Sequence, residues 1–315
     1  MRVFSTIKTV MSSLANTEKN VTIQAQWGKI AALTWGNSSN PPVLLCPGKM
    51  VPCSSFRPLV HLLPNCFFYV AMDLPGNGLS DHLPPGVRFT VFDMVPAVVK
   101  VVEHFKWEKI MFIGHSLGTV VGTYYNMAYP GKVTRFVQLD PIPLYHTVTP
   151  ETFQAWYKEY YRSNYDDDQY AKHANGKETA PKYTLEEIKK RVMRAHRLNE
   201  KAVEHILDRY VEPAGGNLYR FTYDQRMKNP VTMPCSADNL KLILTSTKIP
   251  IFAIFAEHIV DSGVYSRVPF AFDLHSWPNN YKYKIVPGYH DVHLSDPELM
   301  ADDIAGFLLE NKSKL

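Results

Sequence analysis

The chain has 315 residues, of which 45% are hydrophobic and 12% aromatic, a composition that supports a folded core and excludes a disordered chain. Thirty-four basic and 30 acidic residues leave a net charge of only +4, without the clustered basic stripe typical of nucleic-acid binding. No apolar run approaches the ~18 residues of a membrane-spanning helix. The four cysteines lack C-x-x-C spacing, which favours free thiols in a reducing compartment. The length suits one large α/β domain with an insertion, or two small domains.

Short apolar runs separated by turn residues predict a sheet. An opening hairpin is expected over residues 23–35, with its turn at Gly28. Helices are expected between most of the later strands, and Pro96 should kink the first of them or mark its late start. This alternation predicts a mostly parallel sheet with right-handed crossovers. The expected strands cover 42–46, 66–73, 109–113, 133–139, 249–256 and 283–286, and the expected helices 90–105, 119–129, 237–245 and 297–309.

The alternation of strands and helices stops after Pro143, and residues 144–234 are polar, aromatic-rich and helical in pattern. We expect this segment to form a helical cap over a core made of 21–143 and 235–315, behind a flexible leader over 1–20. A capping box begins one cap helix at Thr184, and residues 166–168 predict a solvated loop. Aromatic residues at helical spacing form either a packing face of the cap or a wall for an apolar acyl group: Phe153, Trp156, Tyr157, Tyr160 and Tyr161.

The motif Gly114-His115-Ser116-Leu117-Gly118 lies between a predicted buried strand and a predicted helix. In that setting, G-x-S-x-G places a serine on a sharp turn with its Oγ above the sheet edge. The glycines allow the backbone to fold tightly, and the helix behind the serine offers free N–H groups to a developing oxyanion. The sequence therefore predicts that Ser116 is a nucleophile.

A serine hydroxyl needs a base within hydrogen-bond reach, and the base needs an orienting acid. We expect the base to be His290, which follows a loop glycine after the last strand, with His293 as its rival. Asp140 is the favoured acid because it ends a strand at the carboxyl edge of the parallel sheet. Asp261 and Glu257, in the expected loop after the next strand, are the alternatives.

The oxyanion hole should combine the backbone N–H of Leu117 with one from the Pro47-Gly48-Lys49 turn, most simply that of Lys49. The predicted substrate pocket contains four residues from the turn, the elbow and the cap. Neither a metal nor a cofactor is expected. The pocket residues are Met50, His115, Trp156 and Tyr160.

These residues together resemble the α/β-hydrolase fold over nearly the whole chain. Residues 73–81 resemble its D-x-P-G-x-G-x-S-D turn, although Pro47-Gly48 replaces the usual His-Gly and the G-x-x-D acid motif is missing. Within the superfamily, the chain is similar to the serine hydrolase-like protein group in residues 287–294 and 223–226 and in its terminal tripeptide. Some haloalkane dehalogenases carry their acid where Asp140 falls, but they use an aspartate nucleophile, and Ser116 argues against that activity.

The resemblance and the residues imply a serine hydrolase that cleaves a small hydrophobic ester or thioester through an acyl-enzyme. The alternatives are a non-catalytic, lidded ligand-binding protein of the same fold and a cofactor-free carbon–carbon hydrolase. Ser313-Lys314-Leu315 at the C-terminus matches the peroxisomal import signal, so we expect an import receptor as partner and a peroxisomal location, with the cytoplasm as the alternative.

Overall fold

The apolar runs form a single large sheet in the computed structural model, which describes residues 14–85, 88–174, 176–231, 233–278 and 280–310. Buried strands such as Pro42–Cys46 are apolar throughout because helices cover both faces of the sheet. The strands are β1 Lys19–Ala25, β2 Gly28–Trp35, β3 Pro42–Cys46, β4 Phe68–Met72, β5 Ile110–His115, β6 Val133–Leu139, β7 Val211–Pro213, β8 Tyr219–Phe221, β9 Ile251–Ala256 and β10 Tyr281–Val286.

Eight of these strands form the main sheet in the order β1-β2-β4-β3-β5-β6-β9-β10, and β7 pairs with β8 separately. The pairs β1–β2 and β2–β4 are antiparallel, while the pairs from β4 to β10 are parallel. Parallel strands place their carboxyl ends at one edge, which is where the side chains of an α/β site gather. The mostly parallel α/β sheet expected from the sequence is confirmed.

Helices cover both faces of this sheet. Successive strand residues point to opposite faces, so Leu44 joins one buried core while Val43 and Leu45 join the other. The helices over Val95–His104, Leu117–Ala128 and Ala237–Thr245 pack on the first face, and those over Arg57–Val60 and Ala301–Leu309 pack on the second. The helices are α1 Arg57–Val60, α2 Val95–His104, α3 Leu117–Ala128, α4 Pro150–Tyr160, α5 Asp167–Ala174, α6 Leu185–His196, α7 Glu200–Glu204, α8 Leu207–Tyr210, α9 Ala237–Thr245, α10 Glu257–Asp261, α11 Val292–Ser295 and α12 Ala301–Leu309.

Residues 144–234, hereafter the insertion, contain α4 to α8 and the β7–β8 hairpin between β6 and β9. Buried and partly buried ion pairs attach it to the core. Arg209 of α8 contacts the Asp73 carboxylate at 2.7 Å, with both side chains at most 2% exposed. Arg57 of α1 contacts Asp208 of α8 at 2.8 Å. Removing one partner of a buried pair commonly costs about 3–5 kcal/mol, so Arg209 holds α8 firmly against the core.

Several local expectations differ from the structure. The loop predicted over 166–168 is wrong, because α5 begins at Asp167, where acidic residues favour the positive end of the helix dipole. The aromatic face of α4 does not pack as one unit, since Phe153 and Tyr157 are 48% and 42% exposed. The helix expected over 90–105 begins at Val95, with Pro96 in its first turn.

At the two ends of the chain, the described residues begin at Leu14 and end with residue 310. Leu14 is 1% exposed and packs in the second core, so residues 14–20 of the expected flexible leader are docked rather than free. Residues 1–13 and the Ser313-Lys314-Leu315 signal lie outside the described residues. All four cysteines are free. None of the helices described is long and apolar enough to cross a bilayer.

Candidate active site

Ser116 occupies a sharp turn between β5 and α3. Its φ of 50° and ψ of −117° are a strained combination for a residue with a side chain. The flanking glycines are required by close backbone approach rather than by positive φ. A Cβ on Gly114 would lie 2.7 Å from the backbone of Gly118, and one on Gly118 would lie 2.0 Å from the carbonyl oxygen of Cys46. The turn therefore presses α3 against β3 and holds Ser116 at the carboxyl edge of the sheet.

Asp140 and His290 form a short hydrogen bond beside this turn. His290 Nδ1 lies 2.5 Å from Asp140 Oδ2, and the other carboxylate oxygen accepts from the Ala256 N–H at 3.0 Å. The Asp140 backbone also donates to Ile254 at 2.7 Å, which ties its unusual φ of 39° to β9. Because an ionised carboxylate only accepts, His290 carries its proton on Nδ1 and presents Nε2 as an acceptor.

The charge around His290 favours proton acceptance. Burial would lower its pKa, but the hydrogen bond to Asp140 and the negative charges of Asp291 and Asp140 outweigh that effect and raise the pKa. The Asp140 side chain is 1% exposed, whereas that of His290 is 30% exposed toward the cavities described below. The carboxylate of this pair is thus buried, whereas the imidazole is accessible to a ligand.

The alternative residues lie elsewhere. Glu257 and Asp261 are the first and last residues of α10, a helix that replaces the expected loop. The carboxylate that contacts His290 belongs to Asp140 and to neither of them. His293 lies in α11, is 1% exposed, and its ring packs against that of His115 in a tilted arrangement, at a centroid distance of 4.1 Å. Burial lowers the pKa of His293 to about 4. His293 is therefore a neutral, packed side chain behind the site.

Lys49 and Leu117, whose N–H groups are the predicted oxyanion donors, both line a cavity with Ser116. Across the described stretches, neither the Lys49 N–H nor the Leu117 N–H donates a backbone hydrogen bond in a turn or loop. A Cβ on Gly48 would lie 2.8 Å from His115 and 3.2 Å from Ser116, so the absence of a side chain there lets the Lys49 peptide approach the serine closely. Such preorganised N–H groups stabilise an oxyanion in a water-poor site.

Two cavities meet at Ser116 and His290. The larger has a volume of about 610 Å³ and the smaller about 290 Å³, and Lys49 lines both. Of the four predicted pocket residues, Tyr160 lines the larger cavity, and Met50 and His115 line the smaller one. Trp156 lines neither, because it turns inward from α4 and is 9% exposed. The larger volume fits a drug-sized ligand.

A second histidine–aspartate pair, which was not predicted from the sequence, lies next to the first. Asp291 Oδ2 lies 2.9 Å from His196 Nδ1 at the end of α6, and Asp291 is 3% exposed. Burial would raise the pKa of Asp291, but the hydrogen bond from His196 and the charges of His196, His115 and His290 hold it far below its usual range. The only sequence signal was its position next to His290. This pair joins the loop that contains His290 to the insertion.

One cluster in the described chain has the side chains of a metal site. Ligand atoms of His115, Asp291 and His293 lie within 4.8 Å of one another, and all three residues are buried. Tetrahedral zinc with nitrogen ligands brings such atoms to about 3.4 Å. The His115 Nε2 also contacts the His290 carbonyl oxygen at 3.0 Å, so that nitrogen already has a partner. We assign the cluster to polar packing that supports the His290 loop.

Asp224 and Arg226, in the segment 223–226, contact each other at 2.7 Å. Both are nearly buried, and Arg226 also donates to the carbonyl oxygens of Leu83 and Pro84. Burial opposes ionisation of Asp224, but hydrogen bonds from His82 and Arg226 hold its pKa well below its usual range. The pair joins the end of the insertion to the core.

Comparison with known proteins identifies the fold as one found in hydrolases. Residues 41–297 match the family described as the alpha/beta hydrolase fold, and the chain belongs to that family. It is 30% identical over 290 residues to a serine hydrolase-like protein of Danio rerio, a match that covers 90% of this chain and 86% of the relative. It is also 30% identical over 294 residues to serine hydrolase-like protein 2 of Homo sapiens, covering 90% and 91%.

Solved structures share the fold. A hypothetical protein from Pseudomonas aeruginosa PAO1 superposes with a TM-score of 0.76 at 24% identity, covering 92% of this chain and 96% of its own. The thioesterase domain from the curacin biosynthetic pathway superposes with a TM-score of 0.69 at 16% identity, covering 91% and 98%. At these identities the likeness concerns the fold alone. The resemblance to the serine hydrolase-like group expected from the sequence is confirmed.

Proposed function

We propose that this hydrolase cleaves an ester or thioester with an apolar acyl group, using Ser116 as nucleophile, His290 as base and Asp140 as orienting acid. The observation that carries the proposal is the 2.5 Å contact between Asp140 and His290 beside a strained serine that opens into the same cavity. Serine hydroxyls become nucleophilic when a neighbouring imidazole accepts their proton.

In this mechanism, the Ser116 oxygen attacks the carbonyl carbon while its proton moves to His290 Nε2. The Lys49 and Leu117 N–H groups receive the resulting oxyanion. The imidazolium, stabilised by Asp140, then protonates the leaving alkoxide or thiolate as the acyl-enzyme forms. A water molecule, deprotonated by His290, releases the acid and restores the serine. Because the thiolate and alkoxide routes use the same groups, a thioester and an ester are equally compatible with the site.

Covalent labelling with a fluorophosphonate, measured by intact mass, tests the proposal. Wild type should gain one adduct, Ser116→Ala should gain none, and His290→Ala should react at least ~10³-fold more slowly because its serine lacks a base. Ser266→Ala, which removes another hydroxyl from the same cavity, should label like wild type. An unlabelled wild type that also fails to hydrolyse p-nitrophenyl esters and acyl thioesters would refute the proposal and favour a ligand carrier.

We also propose that the protein acts in peroxisomes after import through Ser313-Lys314-Leu315. The support is the match of this tripeptide to the receptor-read signal. A fusion with a fluorescent protein at the N-terminus should colocalise with a peroxisomal marker, and deletion of residues 313–315 should leave it in the cytoplasm. Cytoplasmic fluorescence of the intact fusion would contradict the proposal.

A further inference from the structure

The larger cavity has an uneven charge. Its wall contains the cations Lys49 and Arg267, and none of its lining residues is an aspartate or glutamate. The rest of the wall is aromatic, aliphatic or neutral polar. A substrate that fills this cavity therefore meets apolar surface together with positive charge and no carboxylate.

Lys49 places the first charge near the reacting atoms. Its Nζ donates to the carbonyl oxygen of Lys228 at 2.7 Å, which uses one of its three N–H bonds and leaves two for a ligand. Burial lowers the pKa of His290, and the charge of Lys49 lowers it further, against the larger raising effects of Asp140 and Asp291. Burial lowers the pKa of Lys49 itself. A partly desolvated ammonium gains more from an anionic partner than one in bulk water.

Arg267 places the second charge at the exposed rim of the cavity. Its guanidinium forms no ion pair or hydrogen bond with any residue in the described ranges. Its charge nevertheless acts on His146. Burial lowers the pKa of His146, and the charge of Arg267 lowers it further. Arginine presents a planar fork of donors that suits carboxylates and phosphates. Arg267 is thus a cation at the rim that has no acidic partner among the described residues, and it is available to bind an anion.

Glu159 on α4 is an acidic residue whose charge acts on two basic residues of this wall. Its charge raises the pKa values of Lys49 and His146 against their burial. Glu159 is exposed and does not line the cavity. It offsets part of the positive charge from outside the cavity. Removal of the Glu159 charge should therefore have the opposite effect to removal of the Arg267 charge.

We propose that the larger cavity selects substrates with an anionic group, bound by Lys49 and Arg267 while the apolar part packs on the surrounding wall. The anion is either a carboxylate at the far end of the acyl group or a phosphate in the leaving group. This proposal rests on the proposed hydrolase function, and it narrows the substrate from hydrophobic esters in general to amphipathic, negatively charged ones.

Matched pairs of substrates test the proposal through the ratio of kcat/KM for the anionic and neutral member. For a carboxylate, mono-p-nitrophenyl adipate is compared with p-nitrophenyl hexanoate. For a phosphate, hexanoyl coenzyme A is compared with the hexanoyl thioester of N-acetylcysteamine. In wild type, at least one ratio should exceed about ten. Arg267→Gln should lower that ratio about three- to tenfold, as expected for a partly screened charge pair, and raised salt should lower it as well.

Further variants separate a local contact from a general charge effect. Lys49→Met should lower the same ratio more than Arg267→Gln, and Glu159→Gln should raise it. Lys241→Gln on α9 makes the same charge change as Arg267→Gln away from the cavity and should leave the ratio unchanged. Hydrolysis of neutral substrates with both ratios near one, or a ratio insensitive to Arg267→Gln, would overturn this proposal alone. Failure to hydrolyse every substrate would overturn the proposed function as well.

Discussion

His290 and Asp291 are neighbours in the chain, yet each forms a histidine–aspartate pair with a different part of the molecule. The first pair joins His290 to Asp140 at the end of β6, within the core and beside Ser116. The second joins Asp291 to His196 at the end of α6, across the contact between core and insertion. The chemical groups are the same, but only the imidazole of the first pair lines both cavities together with Ser116. Location, rather than the pair itself, therefore distinguishes the pair that we propose to be catalytic from the pair that joins the core to the insertion.

The largest expected effect comes from making the same change in both pairs. Asp140→Asn should lower kcat by about 10³–10⁴-fold, because an amide no longer holds the His290 tautomer or stabilises the imidazolium. Asp291→Asn should lower kcat by less than about tenfold, since it leaves the Asp140 contact in place. Steady-state kinetics on a p-nitrophenyl ester measure both.

Asp261→Asn, a change in the exposed alternative acid on α10, is the matched control and should behave like wild type. Equal losses in Asp140→Asn and Asp291→Asn would show that the two pairs act as one unit and would end the distinction drawn above.

Stability should respond in the opposite order, with Asp291→Asn costing about 2–3 kcal/mol at pH 7 because it breaks a buried, charge-assisted contact between core and insertion. The pKa of Asp291 is lowered in the folded state, so its ionisation stabilises the protein above the usual aspartate pKa, and that stabilisation is lost as the pH falls. The difference between wild type and Asp291→Asn should therefore shrink toward acidic pH. Urea unfolding at pH 7 and at about pH 3, below the pKa of an unfolded aspartate, measures it, and a difference that grows on acidification would contradict this account.

Much of the site followed from local sequence. Ser116 lies in a motif whose glycines have a steric purpose, and Asp140 ends a strand at the sheet edge, so neighbouring residues determine their positions. The His196–Asp291 contact could not be predicted in this way. Its partners are 95 residues apart, and their approach depends on how the insertion folds over the core.

The same dependence on tertiary packing explains the error at Trp156. Helical periodicity placed it on one face with Phe153 and Tyr157, but it could not say which side of that broad aromatic face meets the core. The structure buries Trp156 and exposes the other two.

A histidine without an acid partner offers a contrast with both pairs. His293 is buried, and neither ring nitrogen has a hydrogen-bond partner within the described residues. Its pKa is lowered to about 4, so the unfolded chain binds a proton between about pH 6.5 and pH 4 that the folded chain does not. This one group should cost about 2 kcal/mol of stability at pH 5 relative to pH 7. His293→Leu should remove that part of the pH dependence, whereas His104→Leu, at an exposed position on α2, should not.

The smallest expected effect is that of the His196–Asp291 pair on the pKa of His290. The Asp291 charge helps to raise the pKa of His290, and His290 must be neutral to accept the serine proton. The acid limb of kcat/KM against pH should therefore move to lower pH in Asp291→Asn, so that the variant retains relatively more activity in mild acid. His196→Gln breaks the same contact but keeps the carboxylate, and its acid limb should not move to lower pH. A common shift in both variants would mean that the contact orients His290, whereas a shift in Asp291→Asn alone would mean that the carboxylate acts through its charge.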